Sequence, residues 1–283
     1  MTGPLPVTLP PLPGEVLSSW ISRHADFYGV TPLTMLRHGL PEATLLGTID
    51  LSLTRAQATR IAGMFGVSPK DVRDMSFSGV PKAAHRFIAK SPMQRCVRCT
   101  QTDVSPPHVL RSELQGWRIT CPHCGEPYQD KTTNDGDRAL APYRAAARRG
   151  ETLLNNHAER GVETWCPPLE IARLLLMRRI PWQPPREGDL WRYRLLGAIV
   201  PDLDAILAKQ TSFPYSPKHP ILPLHIRPAL LAGVAIIDRA GPPMLKMLQG
   251  HTMGDNKNRF VMATDHLVAP ALEWGTPQQF QLI

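Results

Sequence analysis

Apolar residues recur at helical spacing early in the chain. Leu17, Trp20, Ile21, His24 and Tyr28 fall on one stripe and Gly29 follows, which predicts a helix over 15–28. Thr31-Pro32 then provides an N-cap and a first-turn proline for a short helix ending at Gly39. The pattern is clearest over 53–77. Thr54 and Gln57 have capping-box spacing, Ile61, Ala62 and Phe65 form an apolar face, and Gly66 stops the helix. Ser68-Pro69-Lys70-Asp71 opens a second helix carrying Val72 and Met75. Two short helices joined by a glycine-containing turn make a helix-turn-helix, in which Lys70 and Arg73 would face a DNA groove. A plain helical hairpin in a small bundle gives the same pattern.

Val109-Leu110 and Trp117-Arg118-Ile119-Thr120 have the character of short strands. The polar run 131–138 marks a boundary. Beyond it the periodicity predicts helices over 139–149, 169–179, 190–200 (with Asp189 as N-cap), 203–208 and 228–240. The last forty residues have no assignable pattern. The expected fold is therefore mainly α. It comprises a helix-turn-helix-like domain over 1–90, a small cysteine module over 91–130 and a helical domain with an arginine-rich start over 138–283.

Composition changes this picture at two points. Thirty prolines, five of them within residues 1–13, cut the chain into short elements and make the start an extended lead. The net charge of +8 is unevenly spread. Segments 1–90, 91–137, 138–200 and 201–283 carry +3, −1, +5 and +1, and all eleven bases of the third are arginines. A polyanion such as double-stranded DNA is the expected partner. Candidate phosphate contacts are Lys82 and Arg86 on a basic connector that also holds His85 and Lys90, and Arg144, Arg148, Arg149, Arg178 and Arg179 downstream. A plainly solubilising charge is the competing reading.

Four of the five cysteines form two Cys-x-x-Cys pairs, Cys96/Cys99 and Cys121/Cys124, separated by 21 residues. A two-residue spacer turns both thiolates of a pair onto one ion, and a second pair completes a tetrahedron suited to Zn2+. Such a closed site leaves no coordination position for a substrate. Two disulfides or four free thiols are the alternatives, and His123 is an alternative ligand. The first residues have no basic n-region and no apolar h-region, and no apolar run approaches a membrane span. A reducing cytoplasm, with no membrane partner, is the expected setting.

Pro13-Gly14-Glu15-Val16-Leu17-Ser18-Ser19-Trp20-Ile21-Ser22-Arg23 resembles the opening signature of the TniQ/TnsD proteins, which select target sites for bacterial transposons. Arg60-Ile61-Ala62, Phe65-Gly66-Val67-Ser68 and Val72-Arg73-Asp74-Met75 resemble the same family, as does the order Cys96-x-x-Cys99, Trp117, Cys121-Pro122-x-x-Gly125. The resemblance covers about residues 10–130. Relatives often have histidine where Cys124 stands, and carry further ligands downstream, for which only His157 and Cys166 are available here. The resemblance implies a non-catalytic adaptor in the bacterial cytoplasm or nucleoid. It would bind DNA or a DNA-bound targeting complex and recruit an AAA+ ATPase and a transposase. Dimerisation and coupling to an RNA-guided, CRISPR-associated complex are properties of some relatives.

Enzyme readings find little purchase. His157-Ala158-Glu159 matches the His-x-Glu of zinc deaminases, but both Cys-x-x-Cys pairs lie upstream of it and only Cys166 follows. No phosphate-binding glycine loop and no His-Glu-x-x-His occurs. A zinc-ribbon transcription regulator and a protein-docking scaffold remain as rivals to the adaptor.

Overall fold

The structure is a computed structural model that describes residues 3–101, 108–129, 139–180, 193–208 and 215–273. Among these residues it is mainly helical, with isolated β-bridges in place of strands. The chain divides into two compact units. One comprises Met1–Lys131 with Ala158–Gly161, and the other Thr132–His157 with Val162–Ile283. The boundary run 131–138, Asp189 and the first part of the 190–200 segment lie outside the described residues.

The first unit holds α1 (Leu17–Tyr28), α2 (Pro32–Gly39), α3 (Thr48–Ser52), α4 (Arg55–Phe65), α5 (Pro69–Asp74), a 3-10 turn (Ala84–Phe87), α6 (Val97–Gln101) and α7 (Arg111–Leu114). The caps follow the sequence. Thr54 and Gln57 exchange hydrogen bonds at 3.2 and 2.9 Å. Ser68 and Asp71 do the same at 3.1 and 3.3 Å. Gly29 and Gly66 close α1 and α4 with left-handed backbone, φ +64° and +67°. Leu17, Trp20, Ile21, Leu36, Ile61, Phe65 and Val72 are buried together, with the Trp20 and Phe65 rings 4.4 Å apart.

α1 starts two residues later than its periodicity suggests. Glu15 and Val16 stay extended because they pair with the segment ahead of α7. Val16 N–H donates to the Val109 carbonyl at 2.9 Å, and Arg111 N–H donates to the Gly14 carbonyl at 2.8 Å. Val109-Leu110, expected as a strand of the cysteine module, finds its partner here instead. The first turn of α1 lacks a local cap, and Asp50 of α3 fills that role by accepting from Ser18 N–H at 2.9 Å.

The second unit holds a 3-10 turn (Ala141–Tyr143), α8 (Arg144–Arg160, whose last residues belong with the first unit), α9 (Pro168–Leu175), α10 (Leu196–Ile199), α11 (Asp202–Ala208), α12 (Arg227–Ala240), α13 (Pro242–Gln249) and α14 (Gly254–Glu273). α12 is buried on nearly all sides, as its unbroken apolar run requires. α8 continues past Gly150, where the pattern reads as a stop. A Cβ on Gly150 would lie 1.9 Å from the Leu231 carbonyl oxygen, so glycine is what lets α8 cross α12 backbone to backbone. α9 ends at Leu175, short of Arg178-Arg179, and Arg178 instead forms a bridge with Arg194.

Candidate metal centre

Two turns bring the cysteines together. At the first, Arg95 and Gln129 exchange reciprocal backbone hydrogen bonds of 3.1 Å, and Cys96 leads directly into α6, which carries Cys99. At the second, Cys121 N–H donates to the Glu126 carbonyl and Gly125 N–H to the Cys121 carbonyl, each at 2.8 Å. Gly125 has φ +75°, which closes this turn at no steric cost. Trp117–Thr120 contributes one bridge, Thr120 with Pro127, so both knuckles rest on turns where strands were expected.

The Sγ atoms of Cys96, Cys99, Cys121 and Cys124 all lie within 4.8 Å of one another. Cys96 and Cys124 are 3.3 Å apart, Cys99 and Cys121 3.8 Å, and all are free thiols. Sulfurs at about 2.3 Å around one tetrahedral ion stand about 3.8 Å from each other, so the spacing fits a single ion. Cys96 and Cys121 are buried, the other two half-buried. Burial pushes the Cys96 and Cys99 thiols up, whereas the Glu126 backbone N–H holds Cys124 down. Four thiolates this close need a cation to offset their charge. The group can therefore hold a metal ion.

His123 takes no part in the cluster. It is exposed, and its Nε2 lies 2.8 Å from where a Gly14 Cβ would stand. Among the described residues no second metal-ligating group forms. His157 pairs with Glu163 at 3.1 Å, and Cys166 is fully buried, its thiol pushed up to about 12 by desolvation.

Residues 6–126 match the family model described as TniQ. The chain carries a TniQ domain. The match begins in the proline-rich lead and ends two residues beyond the fourth cysteine, so it takes in the helical hairpin and the whole sulfur cluster. No curated protein and no solved structure matches the chain. The TniQ assignment links the chain to transposition, in a family of non-catalytic adaptors.

The opening signature of the TniQ domain is explained by one buried network. Arg23 grips Glu15 with two hydrogen bonds of 2.7 Å, the pair being 7% and 0% exposed. Ser19 donates to Glu15 at 3.0 Å and accepts from Val109 N–H at 2.9 Å. Trp20 donates to the Leu9 carbonyl, and His24 Nε2 accepts from Leu9 N–H, both at 2.9 Å. These side chains bind the lead, α1 and the start of the cysteine segment together. Sequence reading placed Trp20 and His24 on the apolar stripe and gave Glu15 and Arg23 no role; the signal for the pair is their eight-residue separation flanking a helix start.

The expected DNA-contacting residues differ in availability. Lys70 is tied to Asp74 at 2.5 Å, while Arg73, Lys82 and Arg86 are exposed. Arg144, Arg148 and Arg178 are exposed, and Arg149 pairs with Asp238 at 3.2 Å. Arg179 is 9% exposed, paired with Asp204 and bonded to the Arg194 carbonyl, which makes it a tie within the second unit.

Proposed function

We propose that this protein is a zinc-stabilised adaptor of DNA transposition, selecting the target by binding DNA or a DNA-bound targeting complex. It would recruit an AAA+ ATPase and a transposase while performing no chemistry. A second copy of the chain and an RNA-guided complex belong to the same reading as further partners. The observation that carries it is the closed four-sulfur cluster inside the TniQ match. Soft thiolates favour zinc, and four of them leave the ion no position for a reactive water. Zinc would shape the cysteine segment, whose core is small, and would supply much of its folding free energy. The exposed arginines and lysines of both units support a nucleic-acid partner.

The deciding experiment is recovery of the tagged chain from its host, followed by assays on the purified protein. Co-purification of an AAA+ ATPase or transposase, with no cutting or joining of DNA by the chain alone, is expected. DNA cleavage that tracks a point variant of this chain overturns the adaptor. Recovery of neither partner, with occupancy at promoters instead, favours the transcription-regulator reading.

A further inference from the structure

We propose that the stretch from Lys82 to Arg98 is a contact strip for the phosphate backbone of duplex DNA, and that α5 is not the principal DNA-contacting element. The proposal rests on the DNA-binding part of the function above and assigns it to a surface. From Met75 to Gln101 the chain has no aspartate or glutamate, yet it contains Lys82, Arg86, Lys90, Arg95 and Arg98, with His85 among them. Dividing the chain at residue 90 splits this stretch between segments of +3 and −1 and conceals it.

The structure shows why these cations are available. Lys82, Arg86 and Lys90 recur every four residues and are exposed, while Ala84, Phe87, Ile88 and Ala89 between them are buried. The backbone beneath is pinned at two points. Gly116 N–H donates to the Phe87 carbonyl at 2.7 Å, and Ala89 N–H donates to the Leu114 carbonyl at 2.8 Å. The Arg95–Gln129 pair fixes the far end. Among the described residues Lys82, Arg86, Lys90 and Arg95 form no ion pair, although Arg95 contributes to the field at Glu113. Arg98 stands 3.6 Å from Glu126, with both side chains more than half exposed, a pair that water screens.

α5 is the opposite case. Its two bases face two acids, Asp71 is used in capping Ser68, and Lys70 is held by Asp74. That leaves Arg73 alone. A strip of unpaired cations on a fixed backbone recognises phosphates without reading bases. The rival explanation is that Arg95 and Arg98, flanking the cluster, balance the two net negative charges of four thiolates around a dication. Lys82, Arg86 and Lys90 lie outside that explanation, so they make the test.

The test uses the full chain with one equivalent of zinc and a mixed-sequence DNA duplex, with affinity measured across a salt series. Each phosphate contact contributes about 0.9 to the slope of log affinity against log salt. The triple variant Lys82→Gln, Arg86→Gln, Lys90→Gln is expected to lower that slope by roughly 2 to 3, and affinity more than ten-fold, with zinc content and melting temperature unchanged. The charge-preserving triple Lys82→Arg, Arg86→Lys, Lys90→Arg is expected to keep the wild-type slope. A full wild-type slope in the glutamine variant overturns the strip and leaves the DNA-binding reading standing. An equal loss in Lys70→Gln, Arg73→Gln overturns the demotion of α5. Absence of salt-dependent DNA binding by the wild-type chain overturns both proposals, and a ten-fold preference for duplex RNA reassigns the strip.

Discussion

Glu15 is the residue on which the domain signature converges. Its carboxylate is fully buried and accepts from Arg23, Ser19 and Leu12 N–H, so its charge is compensated only while all of them are in place. Replacing Arg23 by alanine strands that charge and is expected to cost roughly 3–5 kcal/mol in urea unfolding. Asp50 offers a pH test. Burial raises its carboxyl from 3.8 to about 6, against the opposing hydrogen bond from Ser18. Its contribution to stability is therefore full below pH 4 and is lost as pH rises through 6. The stability difference between wild type and Asp50→Asn is expected to shift by about 3 kcal/mol across that window, which unfolding curves from pH 4 to 7 will read. Burial lowers His24, which acts in the opposite sense. Its contribution is present above 6.5 and lost as pH falls, so the comparison with the variant, rather than the wild-type curve alone, isolates Asp50.

Among the elements, the short helices of the first unit depend on their caps. α4 has eleven residues and α5 six, lengths at which an isolated helix is unstable in water. Thr54→Ala removes one half of a capping box and is expected to cost about 1 kcal/mol by thermal or chemical unfolding. Gly150 in α8 gives a test of sign. By helix propensity alone, alanine there would stabilise by about 1 kcal/mol. The added methyl would meet the Leu231 carbonyl, so Gly150→Ala is expected to destabilise the second unit and lower its melting transition. The capped helices were legible in the sequence because each is specified within a few residues. The length of α8 was not, because the reason for its glycine lies on α12, about eighty positions away.

For the molecule as a whole, the sulfur cluster couples chemistry to folding. Cys96→Ser or Cys121→Ser is expected to lose the bound metal in elemental analysis and to loosen the segment around α6, seen as faster amide exchange there. Retention of a full equivalent of metal in both variants would remove these residues from the ligand set. Among the described residues no helix is long and apolar enough to cross a membrane. The positive charge is thus best argued at the solvent-exposed surface, where the acid-free stretch concentrates it.

The sequence by itself determined what is local. It specified the helical hairpin through its caps, the left-handed glycines, and the two Cys-x-x-Cys spacings, because each depends on neighbours within one turn of chain. Tertiary structure alone decided the rest. It brought the two sulfur pairs within 4.8 Å, paired Val109 with Val16 rather than with a knuckle strand, and withdrew Lys70 and Arg179 into ion pairs while leaving Lys82, Arg86 and Lys90 bare. Those outcomes depend on which distant groups meet, and a charge or a backbone amide finds its partner only once the chain has closed around it.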